Sequence, residues 1–345
     1  MSATPGTRAR ATIRDVAALA GVGIKTVSRV INDEANVSAS TRERVQDAVV
    51  ALNFKPHLGA GALRRSGHKT WTLGLLLDSV ANPFSASINR AVEVVATARG
   101  TAVFAASSDD DLERERSLVE AFTRRRVDGL ILTTISADHG YLVPEQEQGT
   151  PIVLVDRPPV GLQADAVLTD NHEAAVRATQ HLLAAGHRRI AQLSDELTIS
   201  TARERRDGYT AALSAVGGHP VSVGGLRSEA EAEAAVRALL SSAEPPTALF
   251  TSQNLVTLGA VRALHSLGRQ HDVALVGFDD LPLADLLRPG VTVVAQDPSR
   301  IGTLAAERVF RRLDGDDGPA QTLVVPARLL VRGSGEIPPP DHRSA

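Results

Sequence analysis

The sequence of 345 residues contains no cysteine, which excludes disulfide staples, thiolate zinc sites and cysteine nucleophiles and fits a reducing cytoplasm. Aromatic residues make up only 3%, seven Phe, two Tyr and one Trp, so a site built on stacked rings has few residues to draw on. The ten His are scattered without His-Glu-x-x-His or Cys-His spacing, and no metal site is expected. A Walker A loop is missing, and Gly59-x-Gly61 lacks the third glycine of a dinucleotide fingerprint and follows no strand pattern, so no cofactor is expected. No stretch approaches the roughly 18 to 20 apolar residues that span a bilayer, and the N-terminal MSATPGTRAR has no apolar core of the signal-peptide kind. A soluble intracellular protein is the expectation.

What is present is a globular composition, 43% hydrophobic, in a chain long enough for two or three domains. The net charge of -3 hides an asymmetry. Met1 to Lys69 carries 11 Lys and Arg against 5 Asp and Glu, leaving 26 against 35 for the remainder. A basic head on an acidic body suits a polyanion-binding head, although a merely solvated surface accounts for charge alone.

The head has two short amphipathic patterns split by Gly-Val-Gly in TIRDVAALAGVGIKTVSRVIN, the appearance of a helix-turn-helix. Thr12 with Asp15 has capping-box spacing, so a helix should start near Ile13, with Val16, Leu19 and Ala20 inward and Gly21 as its stop. The second helix, about Ile24 to Ile31, turns Val27, Val30 and Ile31 inward and leaves Ile24, Lys25, Ser28 and Arg29 near its outer, N-terminal side. Arg29 can offer two donors to a guanine, Lys25 can reach a guanine or a phosphate, and Ile24 can touch a thymine methyl. A third helix, capped by Ser38 or by Ser40 with Glu43, adds Val45, Val49 and Leu52 to the core. Thr26, Ser28, Asn32, Ser38, Thr41 and Arg42 suit phosphate contacts, with Thr12 beside them on the DNA-facing side.

DVAALAGVGIKTVSRVIN, VSASTRERV and ALNFKP with the later ALRR resemble the DNA-binding head and hinge of the LacI/GalR family of transcriptional repressors. The resemblance implies a hinge helix after Pro56 that folds on the operator, with His57 and Ala60 facing DNA and Leu63 wedged into a central minor-groove step; such a wedge unstacks a base step and bends the duplex. Two features depart from the pattern. Gly23 stands where a Ser or Thr cap is usual, and Gly59 and Gly61 lie inside the hinge helix at about 1 kcal/mol each relative to Ala. The alternative for this stretch is a flexible linker.

From Trp71 the pattern becomes apolar runs alternating with helical stretches. Strands are expected at Trp71 to Leu77, Ala102 to Ala106, Gly129 to Leu132, Ile152 to Val155, Ile190 to Leu193, Ala248 to Thr251 and Val273 to Gly277. Runs without polar alternation belong to strands buried on both faces. Helices are expected at Phe84 to Ala98, Glu113 to Arg125, Glu173 to Ala185, Arg203 to Ala215, Glu229 to Leu240 and Leu255 to Leu267. The fold class is therefore α/β, a doubly wound parallel sheet fold in two halves behind an all-α three-helix head. GHRRIAQLS, RERRDGYTAAL, DVALVGFDD and the closing LLVRGS extend the resemblance along nearly the whole body. It implies a two-lobed body similar to periplasmic sugar-binding proteins, with crossings near Thr169 to Asn171, Ala295 to Asp297 and about Pro326. The expected division is a tail at 1–11, the helix-turn-helix domain at 12–56, the hinge at 57–69, the effector-binding and dimerisation body at 70–337 and a tail at 338–345. Within the body the N-lobe takes about 70–168 and 298–325, the C-lobe about 170–295 and 327–337.

Asp78, Asp156 and Asp279 each end an apolar run. An isolated carboxylate there is more often a helix cap, but all three, with Arg205, Asn254 and Gln296, match ligand positions of the family. Arg supplies a planar fork of donors while Asp and Asn accept from paired hydroxyls, so a sugar or polyol is the natural ligand. Stacking would fall to Phe84 or Phe278, and Asn82-Pro83-Phe84 matches a family ligand loop. Arg227 stands where relatives often have an aromatic, and Leu255 replaces a common Asp, so an acidic effector such as a sugar phosphate stays open. Asp109-Asp-Asp111 reads as a solvated loop.

The reading is thus a ligand-controlled, sequence-specific repressor, most plainly of carbohydrate genes, that binds double-stranded operator DNA as a homodimer on a pseudo-palindrome. It is not an enzyme and sits in the cytoplasm. The closing GEIPPPDHRSA has no leucine heptads, which points to a dimer rather than a tetramer built on a terminal coiled coil. The alternatives are a corepressor-dependent regulator with a purine-like ligand and an α/β enzyme with a DNA-targeting head. Ligand titration against an operator separates the first, and turnover of a pocket ligand the second.

Overall fold

The computed structural model describes residues 11–31, 34, 36–54 and 69–340, in two compact units that divide between Thr70 and Trp71. In the first, α1 (Ile13–Ala20), α2 (Ile24–Ile31) and α3 (Ala39–Ala51) enclose a small core. α1 begins at a reciprocal cap, the Asp15 amide donating to Thr12 Oγ1 at 3.4 Å and the Thr12 amide to Asp15 Oδ2 at 2.7 Å. It ends at Gly21, whose left-handed φ of 62° suits glycine. Ser38, not Ser40, caps α3 by accepting the Thr41 amide at 3.4 Å. One expectation fails: Leu19 is 57% exposed and Ala17 takes its place in the core. At 3.6 residues per turn Leu19 lies about 110° from the centre of the arc through Ile13, Val16, Ala17 and Ala20. Asn32, His57, Ala60, Leu63 and the hinge glycines lie outside the described residues.

The second unit holds two six-stranded sheets. The first contains β1 (Thr72–Leu77), β2 (Ala102–Ser107), β3 (Gly129–Leu132), β4 (Ile152–Val155), β5 (Asp165–Thr169) and β11 (Thr322–Val325), in the order β2-β1-β3-β4-β5-β11 and parallel throughout. The second contains β6 (Ile190–Leu193), β7 (Val221–Val223), β8 (Ala248–Thr251), β9 (Ala274–Phe278), β10 (Thr292–Ala295) and β12 (Arg328–Leu330). Its order, β7-β6-β8-β9-β10-β12, repeats the first, with only β12 antiparallel to its neighbour. β1 starts one residue later than the apolar run because Trp71 has a φ of 55°, which no strand residue adopts.

The covering helices are α4 (Pro83–Ala98), α5 (Leu112–Arg124), α6 (Val143–Glu147), α7 (Asn171–Ala184), α8 (Ser200–Ser214), α9 (Glu229–Leu240), α10 (Asn254–Ser266) and α11 (Pro298–Leu313). Burial on both faces makes the central strands uniformly apolar, as in β3, β4 and β8. Gly208 in α8 sits so close to α7 that an added Cβ would lie 2.3 Å from the His172 carbonyl. The chain passes between lobes three times: from β5 into α7, from β10 into α11, which packs on α4 and the first sheet, and from β11 into β12. Asp170 ties two crossings together, accepting from the Ala327 amide at 2.7 Å and from Arg177 at 2.9 Å. Among the described residues no helix is long and apolar enough to cross a membrane.

Candidate functional site

Parallel strands end in the same direction, so the C-terminal ends of β1, β4, β6, β9 and β10 converge on the space between the lobes, where open α/β sheets bind ligands. A cavity of about 680 Å³ opens there, and all eight body residues expected from the sequence line it: Asp78, Phe84, Asp156, Arg205, Arg227, Asn254, Asp279 and Gln296. Asp156 and Asp279 follow counterpart strands of the two sheets and share a left-handed backbone, φ 70° and 69°. Asp tolerates that conformation better than most residues. Neither caps a helix, nor does Asp78; α4 is capped by Asn82, which accepts the Phe84 amide at 3.0 Å.

Arg205 is the most deeply set cation of the cavity, 5% exposed. Its Nε donates to Asn171 Oδ1 and its Nη1 to the Ser252 carbonyl, both at 2.8 Å, and its guanidinium lies 3.8 Å over the Phe278 ring. Phe278 is fully buried and serves as the platform for Arg205, so of the two expected rings only the half-buried Phe84 lines the cavity. Gln296 donates to Asp279 Oδ1 at 2.7 Å, and Thr169 at the first crossing donates to Gln296 Oε1. Burial raises Asp279 above the ordinary carboxylate range, against the pull of Arg205 and of the Gln296 bond. Asn254 Nδ2 donates across the cleft to Asn82 Oδ1 at 2.7 Å, so one carboxamide both caps α4 and joins the lobes.

Sequence reasoning missed several charged lining residues, Asp195, two positions after β6, Arg157, beside Asp156, Glu196 and Asp110 among them, whereas Asn82 of the expected ligand loop is on the cavity wall. The Asp109-Asp-Asp111 segment is exposed as expected, yet Asp110 and Asp111 form part of the cavity rim, and Asp111 caps α5. Burial and then the neighbouring Asp110 push Asp78 up to about 6, and burial pushes Asp195 up to about 6.

In the head, the outward side of α2 carries Ile24, 46% exposed, with exposed Lys25 and Arg29 and half-buried Thr26 and Ser28. Arg29 makes a long, exposed ion pair with Glu34 at 3.9 Å, a contact weak enough to yield to a stronger anion. Thr12 and Ser38 are engaged in helix caps, Thr41 accepts from Ser38 at 2.9 Å, and Arg42 donates to the Glu34 carbonyl at 3.3 Å.

Residues 12–57 match the family described as bacterial regulatory proteins, lacI family, and residues 70–332 match the periplasmic binding proteins and sugar binding domain of the LacI family. The chain belongs to the LacI family. It is 35% identical over 335 residues to the HTH-type transcriptional regulator PtxS of Pseudomonas plecoglossicida, covering 96% of this chain and 97% of the relative. The ribose operon repressor of Escherichia coli K12 is 32% identical, with 94% and 99% covered. Among solved structures, the lac repressor dimer bound to operator and the anti-inducer ONPF superposes with a TM-score of 0.82 at 27% identity, over 95% of this chain and 99% of that one. LacI-family repressors bind operator DNA and small-molecule effectors and are regulators rather than enzymes, which matches a helix-turn-helix head joined to a two-lobed body with a polar cleft.

Proposed function

We propose that this LacI-family repressor acts as a homodimer on a pseudo-palindromic operator, and that a small hydroxyl-rich effector in the cleft, a sugar or sugar derivative, is an inducer that releases it. The observation that carries the reading is the buried Arg205 fork beside Asn254, Asp279 and Gln296 in one interlobe cavity, donors and acceptors in the mixture that paired hydroxyls require. In the head, Ile24, Lys25 and Arg29 read base edges while Thr12, Thr26, Ser28, Asn32, Ser38, Thr41 and Arg42 position on phosphates. His57, Ala60 and the Leu63 wedge complete the contacts from the hinge, on the strength of the motif alone. Effector binding shifts the operator equilibrium by its differential affinity for the two lobe arrangements.

The test is an operator shift assay titrated with sugars and sugar derivatives. Release of DNA by a ligand that also raises the melting temperature supports the inducer role, and ligand-dependent recruitment reverses it to corepressor action. Saturable binding without product keeps the protein outside enzyme chemistry.

A further inference from the structure

The charge of the cleft says more about its ligand than its hydrogen-bonding inventory does. Six carboxylates take part in the lining, Asp78, Asp110, Asp156, Asp195, Glu196 and Asp279, besides the Asp111 that caps α5. Against them stand three arginines, each holding a protein acceptor, with only the Nε of Arg157 buried and without a hydrogen-bond partner among them. Arg205 is tied to Asn171, Ser252 and the Phe278 ring. Arg157 donates to the Thr134 carbonyl at 2.6 Å and approaches Asp156 no nearer than 3.8 Å. Arg227 is an exposed residue paired with Glu196 at 3.2 Å.

The carboxylates are less well served. Asp279 has Gln296 and Glu196 has Arg227, but Asp195 Oδ1 is buried with no hydrogen-bond partner. Asp156 is 9% exposed, and Arg157 at 3.8 Å lies beyond hydrogen-bond length. Asp78 and Asp110 line the cavity together; burial and then Asp110 push Asp78 up to about 6, and burial pushes Asp195 up to about 6. Asp78 and Asp110 follow strands of the first sheet and Asp195 a strand of the second, so the surplus negative charge is divided between the two walls of the cleft. A buried carboxylate without a donor is retained at a cost that a ligand carrying donors or positive charge relieves, while an anion meets repulsion from several sides. No group of three or more His, Asp or Glu among the described residues is placed to hold a metal ion, so a metal is not the natural counter-charge.

We propose that the effector is a hydroxyl-rich compound bearing a protonated amine, an amino sugar or aminated polyol, with its ammonium held between Asp78 and Asp110 on one lobe and Asp195 on the other. This rests on the cleft being the effector site and narrows the ligand's class. Sugar phosphates and sugar acids are disfavoured, because Arg227, the residue that left them open, is exposed at the rim and paired with Glu196, and carboxylates outnumber arginines in the rest of the lining. An ammonium bridging the two walls also gives the ligand a reason to prefer one spacing of the lobes, which is what control of the head requires.

The test is a matched panel against the full-length protein by titration calorimetry and thermal shift: glucose, galactose and mannose, each as the free sugar, the 2-amino-2-deoxy sugar, the 6-phosphate and the aldonate. The expected result is that an amino sugar binds at least tenfold more tightly than its parent and that no anionic member binds. A free sugar or an anion binding more tightly than its amino counterpart overturns the proposal and leaves the cleft as the effector site. No binding by any member removes the cleft reading and the proposal together, so the two failures are told apart. In Asp195→Asn, and separately in Asp78→Asn should the first fail to fold, the preference for the amine over the hydroxyl parent drops at least tenfold. An unchanged preference overturns the proposal.

Discussion

Arg205→Ala is the most informative single perturbation. The substitution removes two charge-assisted hydrogen bonds of 2.8 Å and a guanidinium 3.8 Å over Phe278. It leaves Asp279 and Asp195 without the cation that opposes the upward push of burial on both. Deleting the guanidinium strands two buried acceptors, Asn171 Oδ1 and the Ser252 carbonyl, at about 1–3 kcal/mol each. Asp279 and Asp195 offset part of it, because both already sit above the ordinary carboxylate range and can take up protons once the cation is gone. A net loss of about 3 kcal/mol at pH 7 follows, or roughly 6–12 °C in the melting temperature of a domain of this size. Scanning calorimetry of the full chain should show the body transition falling by that amount at pH 7, and by less at pH 5.5, where protonation is easier. A transition unmoved at pH 7, or a larger loss at the lower pH, would refute the electrostatic argument. The loss of effector response in this variant therefore has to be judged after stability is matched by temperature, and Arg205→Lys, which keeps the charge but not the fork, isolates recognition.

Asp78 and Asp195 have folded values raised from 3.8 to about 6. The folded state binds more protons than the unfolded one in that interval, so stability from these groups is fully present below about pH 4 and lost as pH rises through 6. The body should melt higher at pH 5 than at pH 7, and Asp78→Asn should flatten that slope; an equal slope in the variant counts against a raised Asp78. Asp165 is the opposite case: 2% exposed, it accepts from Arg308, Arg312 and the Gln321 amide, which hold its carboxyl below the usual range. Asp165→Asn should cost about 3 kcal/mol of body stability, read by chemical denaturation at pH 7, and the difference should vanish only as the pH falls below about 4. At Gly23 nothing lies within 4 Å of an added Cβ, so Gly23→Ser should gain a few tenths of a kcal/mol at the start of α2, seen as slower amide exchange in that helix; faster exchange would show that the hydroxyl does not cap.

The order and class of the elements were legible because their causes are local. β3, β4, β6 and β8 fall on the residues their apolar runs mark, since strands covered on both faces cannot afford polar alternation. Thr12 with Asp15 and Gly21 bound α1 through contacts of one turn. Short or half-exposed elements such as β7, with no continuous apolar run, left no comparable signal. Leu19 was misplaced because an eight-residue helix admits two neighbouring apolar arcs, and only packing against α2 and α3 selects between them.

For the cleft, the sequence by itself determined the residues that follow central strands, because a polar residue at the end of an apolar run stands out in one dimension. Asp78, Asp156, Asp279 and Gln296 are of that kind. Only the tertiary structure decided that Asp195 and Asp110 join them, that Arg205 is pinned against Phe278, and that Asn82 reaches Asn254 across 172 positions of chain. Electrostatic surplus and cross-lobe contact depend on distances between two sheets, and those are set by three crossings and the helices packed around them, which no local pattern encodes.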